Sequence, residues 1–140
     1  KNMANGSNAG VMSGKYDIQI VMVPRWYETS YETPDTAGAA LKNRVVCTLY
    51  YWDESLIGKS DLKYTKQTKL TSAPVEYSGE KVDTLTVFTD VEFPVSYKNL
   101  SKAYPVLHIK SDLKSADVNK NGYSRAFNID RIILKSKQAE

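Results

Sequence analysis

Residues 15–23 read KYDIQIVMV and residues 44–52 read RVVCTLYYW, and these two stretches decide the fold. In the first, Tyr16, Ile18, Ile20 and Met22 fall on one side of an extended chain, while Asp17 and Gln19 begin the other. A period of two with one apolar side is the pattern of a strand with one buried face. Val21 and Val23 make the end of that strand apolar on both faces, and Pro24 stops it because it has no ladder donor to offer. The second stretch is apolar on both faces, as expected of a strand at the centre of a sheet.

Outward from these two, the same reading repeats. Residues 62–70 alternate weakly with Lys and Thr on one side, as a charge-protected edge strand does. Residues 74–79 read as a turn. Residues 81–89 and 91–97 read as two strands, the second alternating through Val91, Phe93, Val95 and Tyr97, with Pro94 implying an edge or a bulge. YPVLHIKS, at 104–111, is a further strand. A polar loop over 112–122 follows and ends in Asn121-Gly122, a hairpin turn signal. SRAFNIDRIILK, at 124–135, closes the series, with Ala126, Asn128, Asp130 and Ile132 facing one way and Phe127, Ile129 and Ile133 the other. Seven or eight strands with regularly spaced turn signals specify an all-β protein, an antiparallel, jelly-roll-like β-sandwich. The organisation is a Gly/Asn/Ser-rich linker over 1–14 and one sandwich domain over 15–140.

Composition narrows the function. At 140 residues the chain is long enough to bury a core without a staple. Nineteen basic against sixteen acidic residues give +3, too little and too dispersed to point to nucleic acid. Ten tyrosines favour strands over helices. Cys47 is the single cysteine, so no internal disulfide forms. No apolar run reaches the length of about 18 residues needed to cross a membrane as a helix. The abrupt start at Lys1-Asn2-Met3 reads as a piece of a longer precursor.

The runs KYDIQIVMVPRWY, TLYYWDE, VEFPVSY, YPVLHIKSD and FNIDRIILK, in that order, resemble the C-terminal β-sandwich domain of fasciclin-type surface lipoproteins of gut Bacteroidota, encoded beside glycan-uptake systems. The resemblance covers the chain from about Lys15 onward. It implies a non-enzymatic role on the extracellular face of the outer membrane, where the domain holds a glycan or docks on the proteins of an uptake complex. Membrane association would come only through a lipid anchor outside this segment. It supplies no motif of functional residues.

The site residues are therefore read from their chemistry. Between Pro24 and Asn43 lies a long segment with Trp26, Tyr27 and Tyr31, flanked by Arg25, Glu28 and Glu32. Long loops inside compact domains are usually functional or mobile. Flat rings cover the C–H patches of sugars while neighbouring charged groups bond the hydroxyls. Trp52, at the end of the Tyr50-Tyr51-Trp52 run and beside Asp53 and Glu54, is a candidate for the same surface. The competing reading is that these rings plug one end of the sandwich. Asp117, Asn119 and Asn121, with Gly122, match the first half of a calcium loop. The match then fails, because Asn128 stands where the bidentate Glu belongs and Lys120 adds positive charge. A solvated turn is the favoured reading, calcium the alternative, and no other cofactor is expected. His108 and Cys47 are both mid-strand and have no evident catalytic partner. Asp53 with Glu54, or Asp83 with Asp90, are the carboxylate pairs a glycosidase would need, but sixteen acids produce such pairs by chance. No catalytic residue is assigned.

Overall fold

The alternation in KYDIQIVMV is realised as the middle strand of a sheet, and that of RVVCTLYYW as the middle strand of a second sheet facing it. The computed structural model describes residues 10–24, 41–52, 67–93, 97–98, 105–116, 118 and 122–137. In chain order its strands are β1 (Gly10–Val11), β2 (Gly14–Val23), β3 (Asn43–Trp52), β4 (Gln67–Thr71), β5 (Val75–Tyr77), β6 (Asp83–Phe93), β7 (Tyr97–Lys98), β8 (Val106–Ser111) and β9 (Asn128–Lys137). One sheet has the order β6-β2-β9. In the other, β3 is flanked by β8 on one side and by β4 and β5 end to end on the other. β1 and β7 form a separate two-stranded pair. All pairings between these strands are antiparallel. Apart from the passage through β3, β4 and β5, the chain alternates between the two sheets, and this produces the jelly-roll-like sandwich.

Ile18, Ile20 and Met22 of β2 face Val45, Cys47 and Leu49 of β3, and all six are fully buried. Tyr77, Phe93 and Leu107 complete the centre. The Tyr51 ring meets Phe93 edge-on, with centroids 5.1 Å apart and planes at 86°, the geometry the ring quadrupoles favour.

Several elements depart from the expectations drawn above. Residues 74–79 are not simply a turn, because Val75–Tyr77 form β5 and bury Tyr77. The register between β3 and its partners slips by one residue between Val45↔Val75 and Thr48↔Thr71. Ser72 spans the slip: its N–H donates to the Cys47 carbonyl (2.8 Å) and its hydroxyl accepts from the Cys47 N–H (2.9 Å). Pro74 sits in the gap, where no ladder donor is needed. Residues 83–93 are one strand rather than two. Asp90 adopts a positive φ of 56° and takes up an extra residue as a bulge without ending the pairing. Gly122 does take the left-handed conformation (φ 73°), but β8 and β9 on either side belong to different sheets, so the loop is a crossover and not a hairpin. On β9 the register shifts between Arg131 and Ile129, so Ile129, Ile132 and Leu134 share the core side, against the expected grouping of Ile129 with Ile133. Within the stretch read as a linker, Gly10–Val11 pair with Tyr97–Lys98 and β2 starts at Gly14.

Candidate functional site

Arg25, Trp26, Tyr27, Glu28, Tyr31 and Glu32 lie outside the described residues, as do Asp53, Glu54, Asp117, Asn119, Lys120 and Asn121. The backbone of Trp52 ends β3 opposite Gln67. Among the described residues, no three His, Cys, Asp or Glu side chains come close enough to hold a metal ion. Asp83 and Asp90 lie on one strand, roughly 20 Å apart at about 3.3 Å per residue, beyond the ~5–9.5 Å between glycosidase carboxylates. Cys47 and His108 point to opposite faces of their sheet: the register pairs Thr48 with His108 and Cys47 with Ile109. Burial pushes the Cys47 thiol up to about 11, so it is neutral at physiological pH and a poor nucleophile.

The chemistry concentrates on the outer face of the β3 sheet. Alternation along β3 sends Val45, Cys47, Leu49 and Tyr51 inward and Arg44, Val46, Thr48 and Tyr50 outward. The register sets Val106 beside Tyr50, His108 beside Thr48 and Lys110 beside Val46. On the other flank, Lys69 is beside Tyr50 and Glu76 beside Arg44. The Lys69 ammonium lies 5.8 Å from the Tyr50 ring centroid, within cation–π reach.

At the Arg44 end the side chains lock together. Arg44 Nη1 is 3.4 Å from Glu76 Oε1, and Arg44 Nε donates to the Asp112 carbonyl at 3.3 Å, with the Asp112 carboxylate 3.8 Å away. The Tyr123 hydroxyl donates to Glu76 Oε2 at 2.7 Å. Two cations lie over the Tyr123 ring, Lys42 at 4.8 Å and Arg44 at 5.3 Å from its centroid. Each group fixes the orientation of the next, so the planar donors and acceptors are held in place.

The backbone explains how Tyr123 gets there. The Lys42 N–H donates to the Gly122 carbonyl and the Ser124 N–H to the Lys42 carbonyl, both at 2.8 Å. Between them Asn43 turns inward, only 3% exposed, and its amide donates to the carbonyls of Ser124 (2.8 Å) and Ala126 (2.9 Å). Arg125 braces the neighbouring turn. Its Nε and Nη2 donate to the Leu113 carbonyl at 3.2 and 3.1 Å, and Nη2 donates to Ser115 Oγ at 3.2 Å.

Against this network lies an open cavity of about 240 Å³ lined by Arg44, Lys110, Ser111, Asp112, Leu113 and Lys114. Ser111 Oγ is, among the described residues, the one buried side-chain polar atom with no hydrogen-bond partner. Sequence reasoning missed this site. Arg44 and Glu76 become neighbours only through the β3–β5 register, and Tyr123 joins them only through a crossover between sheets. The one local signal was the Asn121-Gly122 turn just before Tyr123.

A second polar cluster sits at the far end of the other sheet. Lys137 Nζ is 2.6 Å from Asp90 Oδ1 and 3.4 Å from Asp17 Oδ1, and Asp17 Oδ1 accepts the Asp90 N–H at 3.0 Å. This triad pins the Asp90 bulge across three strands. It lies on an open sheet surface with the lysine between the two carboxylates, so it secures the fold and forms no catalytic cleft. No family model, curated protein or solved structure matches the chain.

Proposed function

We propose that this domain is a non-enzymatic binding module that holds one unit of a glycan against the outer face of the β3 sheet. The observation that carries the reading is the Tyr123–Glu76–Arg44–Asp112 network fixed beside a cavity of about 240 Å³. Sugars are recognised by pre-oriented planar groups that bond hydroxyls and by ring faces that cover C–H patches. The network offers the first; Tyr50, outward on the same face but roughly 20 Å further along β3, offers the second to a later unit of the same polymer. The cavity falls below the roughly 300–1,000 Å³ of sites for drug-sized ligands, which suits a single ring of a polymer whose remainder runs over the sheet.

The aromatic segment with Trp26, Tyr27 and Tyr31, flanked by Arg25 and Glu28, together with Trp52, is proposed as a further contact surface for the same class of ligand. In line with the resemblance, the module would work on the extracellular face of an outer membrane, in a lipoprotein serving a glycan-uptake system. Affinity electrophoresis of the whole chain through gels containing single polysaccharides tests the proposal. Retardation by at least one polymer, reduced in Tyr50→Ala, is the expected result. Migration unchanged across a broad panel would overturn it and favour a domain that only docks on the proteins of an uptake complex.

A further inference from the structure

We infer that copies of this chain associate head to tail, the far edge of β9 in one copy pairing in parallel with the far edge of β6 in the next, so that their three-stranded sheets join into one. The inference goes beyond the binding reading above and does not depend on it.

Among the described residues, β2 is the one strand that pairs with β6 and the one that pairs with β9. The far sides of these strands, 11 residues long in β6 and 10 in β9, end the sheet. A row of backbone N–H and C=O groups along such an edge is a template for a further strand. Both strands run antiparallel to β2 and are therefore parallel to each other. A copy displaced sideways without turning brings its β6 beside the β9 of its neighbour.

The register of β2 shows what then meets. Lys15 lies opposite both Glu92 and Lys137, Ile18 opposite both Phe88 and Leu134, and Ile20 opposite both Leu85 and Ile132. With the rows kept, the junction sets Lys137 beside Glu92, Leu134 beside Phe88 and Ile132 beside Leu85. Lys135 is in the row of Asp17, level with the Asp90 bulge whose N–H the Asp17 carboxylate accepts.

Charge and burial both favour this junction. On the outer face, β6 carries Asp90 and Glu92, β2 carries Lys15 and Asp17, and β9 carries Lys135 and Lys137. The sum is zero, but the charges are separated: acids on one edge, a balanced middle strand, bases on the other. Glu92 and Lys135 are exposed and make no ion pair among the described residues. On the inner face, Ile18 and Ile20 are fully buried, while Leu85, Phe88, Ile132 and Leu134 beside them are only partly so. Each of these four meets an apolar partner in the junction, which takes its remaining apolar surface out of water.

Symmetric pairings do not reproduce this match. Setting β9 against a second β9 about Ile133 aligns the apolar residues but places Arg131 opposite Lys135 twice, and like charges directly opposite are destabilising. β6 carries no basic residue, so a β6–β6 seam holds acids alone. A head-to-tail contact leaves one edge unused at each end, so it builds chains and does not stop at a pair.

Sedimentation velocity of the whole chain, from micromolar to millimolar concentration at low and at high salt, tests the inference. We expect species that grow past the dimer as concentration rises and that dissociate as salt screens the charges. Glu92→Lys alters the β6 edge and Lys135→Glu the β9 edge; both positions are exposed, and circular dichroism checks that the variants fold. Each variant alone should need about tenfold more protein or beyond to assemble, because every junction then holds like charges side by side. An equimolar mixture of the two keeps one intact junction, the β9 edge of Glu92→Lys against the β6 edge of Lys135→Glu, and should stop at a heterodimer. A parent that stays monomeric at the highest concentration and lowest salt, growth that ends at a dimer, or assembly unchanged in either variant overturns the inference.

Discussion

Asn43 offers the sharpest test of how the site is built. Its side chain is 3% exposed and its amide donates to two carbonyls of the crossover, those of Ser124 and Ala126. Asn43→Ala removes both bonds. Ser124 is itself only 7% exposed, so its carbonyl is left buried and unsatisfied, at about 1–3 kcal/mol. Ala126 is exposed and water can replace its lost donor, so that bond is worth only its net value, about 0.5–1 kcal/mol. The sum is about 2–4 kcal/mol. With a urea m-value of about 2 kcal/mol/M, the unfolding midpoint should fall by about 1–2 M. Asn43→Asp makes a stricter probe because it has the same shape. At neutral pH it aims a carboxylate at two carbonyl oxygens, so it should lose at least as much as the alanine. Its folded-state pKa would be raised by burial and by the two acceptors. The penalty is then absent when both states are protonated and grows as pH rises above the unfolded value of about 3.9. Urea titrations at pH 5 and pH 7 decide the matter. An alanine variant within 0.5 kcal/mol of the parent, or an aspartate variant no less stable at pH 7 than at pH 5, would refute the reasoning.

Three further outcomes follow from the same structure. Gly79 has φ 74°, and a Cβ placed there would run into the Leu41 carbonyl; Gly79→Ala should therefore cost about 3 kcal/mol or more by overpacking and backbone strain, measured by thermal or urea unfolding. Cys47 is fully buried, with its thiol pushed up to about 11 by desolvation, so a thiol reagent at pH 8 should label the native protein slowly, and at full rate once urea unfolds it. The Asp17 carboxyl is held below its ordinary 3.8, first by the Asp90 N–H and then by Lys137. Its contribution is present above the unfolded pKa and lost as pH falls through the lower folded one, so Asp17→Asn should flatten the acid limb of a stability–pH curve below about pH 4.

The fold was legible because the two middle strands carry their pattern locally. In β2 the period of two in Tyr16, Ile18, Ile20 and Met22 named the inward set, and in β3 apolar residues on both faces marked a strand with neighbours on both sides. Two of the errors share one physical cause, which is that a bulge shifts the phase of every residue beyond it. Nothing in the residues 83–93 themselves announces that Asp90 takes a left-handed conformation; the Asp17 and Lys137 side chains that hold it come from strands far away in sequence. The register shift near Asp130 likewise moved Ile132 to the core side. The turn at 74–79 was half right, since Pro74 does interrupt the edge, but Ser72 restores the lost backbone bonds and lets β5 resume. The Arg44 site was the least legible part because it is entirely a product of pairing. Glu76 comes from β5, and Asp112 and Tyr123 from the two ends of the β8–β9 connection, and only the β3 register and the Gly122 crossover bring them to one arginine.

That dependence on pairing separates residues that build the site from residues that would touch a ligand. Asn43 faces the core, while its neighbours Lys42 and Arg44 lie over the Tyr123 ring on the outside. One buried amide therefore ties the crossover to β3 and, through two backbone bonds from Lys42, fixes the ring that both cations hold. A change at Asn43 must move stability and binding together. Lys110 is exposed and lines the cavity. A change there should move binding alone. On the proposed reading, the outer face of β3 would meet its ligand through exposed side chains while the Asn43–Ser124–Arg44 framework stays fixed. Binding loss in a Lys110→Ala variant would then report on recognition, and binding loss in the Asn43 variants on the fold.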